Sequence, residues 1–258
     1  MRYFVREDTL FLRGRFRAVS TGGVRGGIAD VTTVLNHTVP HDFEDEPGRH
    51  LDLLTARHGV FRDYFGLLTA VEMHHLCVLQ YDFVTVFITA GVTNPTAPPP
   101  PPPRTPSTSL STAGRGMVDS ALLETIVTAT GAKAQALHDL GYDFPPGTTT
   151  DAVVVACERD APPQANTYAG TLTEVGSRVH AAVLRGLPEA LARQQGRVRR
   201  SEPSFFIYSR YGGGDHWVEW QKENCPYYPP CHFPGQRCDY CYCPCYPLCG
   251  RGTRRMGR

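Results

Sequence analysis

The segment Asp151-Ala152-Val153-Val154-Val155-Ala156, entered through Gly147-Thr148-Thr149-Thr150, decides the fold class. It is a short apolar run rich in β-branched valine, suited to a buried strand, and a polar turn leads into it. Working outward, each flank carries a helical period. From Met117 to Leu140, the positions Val118, Leu122, Ile126, Val127, Ala134 and Leu137 recur near every 3.6 residues, with Gly131 an interruption of modest cost. From Thr171 to Gln195, a second stripe runs through Leu172, Val175, Val179, Ala182, Val183 and Leu187, and Pro188 is expected to kink or restart that helix. A buried strand between two amphipathic helices implies an α/β or α+β main domain: a mixed sheet with flanking helices.

The N-terminal part supplies the other strands. Leu10-Phe11-Leu12, Val31-Thr32-Thr33-Val34-Leu35 and Asp82-Phe83-Val84-Thr85-Val86-Phe87-Ile88 are strand-like, and the last ends in Thr89-Ala90-Gly91. His50 to Val60 reads as a short helix. Six consecutive prolines, Pro98 to Pro103, open a Pro/Ser/Thr-rich tract. Proline cannot donate to a β-ladder, so residues 98–116 are expected to form an irregular, exposed insert, with a ligand for proline-reading domains as the sharper alternative. The basic stretch from Arg193 to Arg200 marks a domain boundary, giving a main domain of residues 1–195 and a small domain of residues 203–250.

The composition excludes several classes. With 26 Lys and Arg against 25 Asp and Glu, bulk charge does not make a surface for polyanions. There is no apolar run of membrane-spanning length, and the N-terminus lacks the apolar core of a secretory signal, so a cytoplasmic protein without membrane partners is expected. Cysteine usage agrees. Cys77 and Cys157 stand alone in apolar segments, whereas the other seven of the nine cysteines crowd between Cys225 and Cys249, which reads as a metal site in a reducing compartment.

The main domain resembles the adenosylcobinamide amidohydrolase family. The resemblance rests on Asn36-His37-Thr38-Val39, Gly66-Leu67-Leu68-Thr69-Ala70-Val71, Thr89-Ala90-Gly91-Val92-Thr93-Asn94-Pro95, Thr128-Ala129-Thr130-Gly131-Ala132-Lys133-Ala134 and the GTTTDAVVVA block of residues 147–156, in that order along the chain. It implies hydrolysis of the aminopropanol amide of adenosylcobinamide, a corrinoid small-molecule substrate, to give adenosylcobyric acid for cobalamin salvage, with no organic cofactor. Three departures stand out. A Gly-Thr-Ile-Asn-type strand expected after the Thr89 block is not found, the family's helix glutamate is Gly131, and Phe144-Pro145-Pro146 precedes the threonines. These departures motivate a rival reading, a catalytically inactive corrinoid-binding protein.

Amide hydrolysis needs a nucleophile, a general base and donors for the developing oxyanion. His37 is a candidate base, because an imidazole titrates near neutrality. Asp151 could orient His37 or Lys133, and Thr150 is a candidate nucleophile. Asn36, Thr69, Asn94, Lys133 and Thr149 are candidate substrate-binding groups. Together these residues are expected to converge on one face of the main domain. Bland accounts compete: a strand-end histidine, turn-forming Asn, Asp and Thr, and a solvated lysine.

The C-terminal segment resembles a family of cysteine-rich small domains. That resemblance, with the density of thiolate and imidazole donors, implies structural zinc held by ligands drawn from Cys225, Cys231, His232, Cys238, Cys241, Cys243 and Cys249. Cys245 stands where a hydrophobic residue is expected. An iron–sulfur cluster is the alternative. The aromatic residues of the segment, Phe205 to Tyr228, serve either as the core of a metal-stabilised domain or as a platform for a flat ligand. A zinc-dependent interaction module is the remaining rival. Nucleic acid is not an expected partner, since Arg251, Arg254, Arg255 and Arg258 lack a helix or ribbon to place them.

Overall fold

The computed structural model describes residues 1–60, 63–91, 108–113, 115–142, 151–160, 166–199, 201–209 and 216–219. The chain divides into two units, Met1–Pro203 and Ser204–Arg258.

The first unit is a strongly curled mixed sheet with helices. Its strands are β1 (Arg2–Arg6), β2 (Thr9–Ser20), β3 (Gly27–Thr38), β4 (Tyr64–Thr69), β5 (Cys77–Tyr81), β6 (Val84–Thr89), β7 (Thr108–Ala113) and β8 (Ala152–Glu158). They run in the order β5-β6-β7-β8-β2-β3-β4, with β1 also paired to β2. A register shift between Arg13 and Phe16 divides β2. Its first half pairs with β1 and its second half with β8, while β3 follows its other edge. A bulge of this kind bends a strand and increases its twist, which suits a sheet that curls on itself.

Two parallel pairs need crossover helices, because parallel strands cannot be joined by a tight turn. Helix α1 (Pro47–Arg57) connects β3 to β4, and α2 (Asp119–Asp139) connects β7 to β8. The Glu46 carboxylate caps α1 by accepting from the Gly48 and Arg49 amides. Leu51 and Leu54 of α1 pack with Phe11, Leu35, Val60 and Tyr64, so one face of β2, β3 and β4 lies under this helix. Each such side chain contributes about 1.5–3 kcal/mol when fully buried.

Helix α3 (Glu174–Gln194) lies on β5, β6 and α2. Gly186 sets its approach: a Cβ there would fall 2.3 Å from Leu79 Cδ1 and 2.8 Å from Ile88 Cδ1. Pro188 lies inside the helix without ending it. The expected stripes need correction. Val127 is 70% exposed and Leu172 fully so, the latter before the Thr173 N-cap. The buried face of α2 instead runs through Ala121, Leu122, Thr125, Thr128, Ala129, Ala132, Lys133 and Ala136. Small side chains let α2 seat closely against its neighbours, so its contact face carries little of the bulk that a hydrophobic pattern detects.

The Pro/Ser/Thr-rich tract also needs correction. Thr108–Ala113 is not irregular: it forms β7, antiparallel to β6 and parallel to β8, inside the sheet. It is the next strand in the chain after the Thr89 block, where a Gly-Thr-Ile-Asn-type strand was expected. Thr-Ser-Leu-Ser-Thr-Ala has no apolar period, and its neighbours on both sides supply the order that its own residues do not. Residues 98–107 lie outside the described residues.

Among the described residues, no helix is long and apolar enough to cross a membrane. Cys77 and Cys157 are buried free thiols. In the second unit, β9 (Ser204–Ser209) and β10 (His216–Glu219) form an antiparallel hairpin, in which the Tyr208 and Trp217 rings meet edge to face at 5.1 Å.

Candidate active site

Adjacent strand residues project from opposite faces, and this separates the two candidates at the end of β3. His37 shares its face with Leu35, beneath α1. Its Nδ1 lies 2.7 Å from the Thr9 hydroxyl, and its ring stacks on His50 of α1 at 5.2 Å between centroids. Burial, followed by the neighbouring His50, pushes its pKa below the ordinary imidazole value, while Asp8 acts in the opposite direction. Asn36 projects to the other side of the sheet. The expected convergence of His37 with Asn36 is therefore not found.

Asn36 is 1% exposed. Its Nδ2 donates to the Thr89 hydroxyl at 3.2 Å. In the strand order β3 and β6 stand four places apart, so this bond shows how far the sheet curls. The Asn36 Oδ1 is buried and has no hydrogen-bond partner among the described residues. Thr69 is buried at the end of β4, on the same face as Leu67, which is the register partner of Asn36. Its Oγ1 accepts from the Val71 amide at 3.1 Å. Asn36, Thr69 and Thr89 thus form a buried polar group at the C-terminal ends of three strands.

Asp151 lies immediately before β8 and forms an ion pair with Lys133 of α2, whose side chain is 7% exposed. Of the two partners that the sequence offers Asp151, His37 and Lys133, the fold supplies the lysine. Two paths tie this pair to the Asn36 group. Across the sheet, Thr89 is the register partner of Thr108, and Thr108 of Ala152, so Thr89 and Ala152 stand two strands apart, about 10 Å. Along the loop after β2, the Thr21 hydroxyl accepts from the Val153 amide at 2.9 Å. The next residue, Gly22, lies against β4, where a Cβ would come 2.8 Å from Leu67 Cδ2. No side chain can be added at Gly22 without displacing Leu67, the neighbour of Asn36 across the β3–β4 pair.

Gly131, at the position of the family glutamate, is open: a Cβ there would meet nothing within 4 Å. Two residues apart on a helix, positions 131 and 133 do not share a face, so this departure takes nothing from the Lys133–Asp151 pair. Asn94, Thr149 and Thr150 lie outside the described residues, as do Cys225, Cys231, His232, Cys238, Cys241, Cys243 and Cys249. Among the described residues, no cluster of His, Cys, Asp and Glu could hold a metal ion. Thr89 and Thr21 were not singled out from sequence. Thr89 sits in a quoted block, but only its position opposite Asn36 gives its hydroxyl a role.

The adenosylcobinamide amidohydrolase family matches residues 3–199, and a cysteine-rich small-domain family matches residues 216–256. An adenosylcobinamide amidohydrolase of Methanosarcina mazei is 39% identical over 199 residues, covering 74% of this chain and 98% of that protein. One from Halobacterium salinarum is 33% identical over 180 residues, covering 65% of this chain and 76% of that protein. A probable cobalt-factor III C(17)-methyltransferase of Methanothermobacter thermautotrophicus is 61% identical over 31 residues, 12% of this chain and 8% of that protein. No solved structure matches. With its main unit matched almost from end to end, the chain belongs to the adenosylcobinamide amidohydrolase family.

Proposed function

We propose that this protein hydrolyses the aminopropanol amide of adenosylcobinamide, leaving adenosylcobyric acid, and that the reaction takes place beside Asn36, Thr89 and the Lys133–Asp151 pair. The observation that carries the placement is the buried Asn36 Oδ1 without a partner among the described residues. An unmade hydrogen bond at a buried acceptor costs about 1–3 kcal/mol, and a substrate amide N–H would satisfy it.

In this reading Asn36 accepts from the substrate amide while its own N–H group stays on Thr89. The Thr89 hydroxyl, already accepting from Asn36, has its proton left to donate to the substrate carbonyl. Water is the nucleophile. Asp151, held by Lys133, takes a proton from it as its oxygen bonds to the carbonyl carbon. The C–N bond then breaks, and the aminopropanol nitrogen takes up the proton that Asp151 received from the water, which returns Asp151 to its carboxylate form. Thr149, Thr150 and Asn94 belong to segments adjoining Asp151 and Gly91, and we assign them to polar contacts with the corrinoid or with the developing oxyanion. His37, beneath α1, has a structural role. Reaction in ¹⁸O-labelled water tests the chemistry: hydrolysis puts one heavy oxygen into the product carboxylate, and its absence would rule out water as the nucleophile.

For the C-terminal unit we propose structural zinc, held by four ligands drawn from Cys225, Cys231, His232, Cys238, Cys241, Cys243 and Cys249. The support is the match to a cysteine-rich small domain and a donor set of thiolates with one imidazole. The reduced Cys77 and Cys157 fit a cytoplasmic setting.

A further inference from the structure

The turn between β2 and β3, residues 21–26, reads Thr-Gly-Gly-Val-Arg-Gly, and Gly27 opens β3. It touches both parts of the candidate site. Thr21 pairs with Val153, two residues after Asp151: its amide donates to the Val153 carbonyl at 3.0 Å, and its hydroxyl accepts from the Val153 amide. Gly22 lies against Leu67, the register partner of Asn36. The turn is held along its length. The Gly22 amide donates to the Ser20 hydroxyl at 3.1 Å, and Val24 packs against the cluster under α1. Arg25 has a φ of 50°, which a residue with a Cβ adopts at a cost. Asp52 at 2.6 Å and the Tyr64 ring, 4.9 Å from the guanidinium, hold it there. Strain of this kind persists where the surroundings over-determine it, and it gathers at ligand clamps.

Three of the four glycines here have a reason inside the fold. A Cβ at Gly22 would displace Leu67, one at Gly26 would fall 2.3 Å from the Gly22 carbonyl oxygen, and Gly27 has a φ of 104°. Gly23 has no such reason. Its φ is outside the left-handed region, it is exposed, and a Cβ there would meet nothing within 4 Å. Glycine at such a position gives up stability, because a side chain would restrict the unfolded chain without straining the folded one. Close approach of a ligand to the backbone accounts for its bareness. A ligand is marked independently at the same site by the buried Asn36 Oδ1, which has no hydrogen-bond partner among the described residues.

We propose that the turn of residues 21–26 is the rim on which the corrin macrocycle rests while its amide reaches Asn36, and that Gly23 is a specificity-determining position for this broad, flat ligand. The proposal rests on the placement of the reaction beside Asn36. The amide to be cleaved hangs from the edge of the macrocycle, so the side arm enters the buried polar group and the ring stays outside it. A rigid turn that carries no side chain at position 23 lets the ring lie close to the backbone, and a side chain there would hold the ring away.

The test is equilibrium dialysis and steady-state kinetics of full-length Gly23→Ala and Gly23→Val with adenosylcobinamide, with thermal melts alongside. Both variants should melt at or above the parent temperature. Kd and KM should rise, roughly tenfold or more for valine, the scale of a steric misfit in a close contact, while kcat stays near the parent value. The parent Kd in both variants would overturn the proposal. So would a fall in kcat at unchanged KM, or a weaker affinity accompanied by a lowered melting temperature, which would make Gly23 a requirement of the fold. Asn36→Ala separates the two claims. The parent kcat in that variant removes the placement of the site, and with it this rim. A low kcat there, with the parent Kd in Gly23→Val, removes the rim alone.

Discussion

Asn36 on β3 donates a hydrogen bond of 3.2 Å to Thr89 on β6, across the inside of a sheet in which those strands stand four places apart. The bond leaves Asn36 Oδ1 buried without a partner among the described residues and brings the ends of β3, β4 and β6 together. It should matter to turnover more than to folding. Asn36→Ala is expected to lower kcat about 10²–10³-fold, the loss typical of one positioned polar group at a reacting amide. A Thr89→Val variant should show part of the same loss. Steady-state kinetics on adenosylcobinamide, with thermal melts alongside, check this.

Asp151→Asn removes the proposed base while keeping the shape of the side chain. Turnover should fall about 10²–10⁴-fold. Breaking the pair from the other side is expected to affect stability as well. Lys133→Met leaves a largely buried carboxylate without its cation, and loss of one partner of a buried pair costs about 3–5 kcal/mol. Chemical denaturation of the two variants separates the roles.

His37→Gln should leave kcat within a few-fold of the parent. Its effect belongs to the pH dependence of stability. The folded-state pKa of His37 lies below the unfolded value, near 6.5, so the unfolded chain binds the proton more readily. The stabilisation from keeping this imidazole neutral is present above the unfolded value and is lost as pH falls through that value toward the lowered folded one. Melting curves from pH 7 downward should therefore fall less steeply for His37→Gln than for the parent protein. A drop in kcat with an unchanged melting profile would make His37 catalytic after all.

Gly186→Ala should destabilise the main unit by about 1–3 kcal/mol, since the added methyl falls against the side chains of Leu79 and Ile88. A urea unfolding series measures it. The parent stability in that series would contradict the close seating of α3.

The zinc proposal makes a stoichiometric prediction. Protein purified under reducing conditions should carry zinc, and Cys238→Ser with Cys241→Ser should lose it while the main unit keeps its melting transition. Elemental analysis decides this.

Much of this architecture could be read from the residues. The valines of 153–155 announced β8, and the flanking periods announced α2 and α3, because apolar patterning reports burial directly. β7 could not be read that way: Thr108–Ala113 carries a single large apolar residue, and its strand conformation comes from β6 and β8 on either side. Val127 misled the pattern for the converse reason, since α2 packs through alanines and threonines. At the site, the blocks carrying Asn36, Thr69 and Asp151 were evident, but the roles were not. Whether His37 or Asn36 faces the interior depends on strand parity, and the choice of Lys133 over His37 for Asp151 depends on how the sheet curls. Neither is a local property of the chain.

The central claim is tested most directly by incubating the purified full-length protein with adenosylcobinamide and quantifying aminopropanol by mass spectrometry. The account predicts release of one aminopropanol for each adenosylcobyric acid formed, and loss of both products together in Asn36→Ala and Asp151→Asn. Binding of the corrinoid without release of aminopropanol, from folded protein, would contradict it.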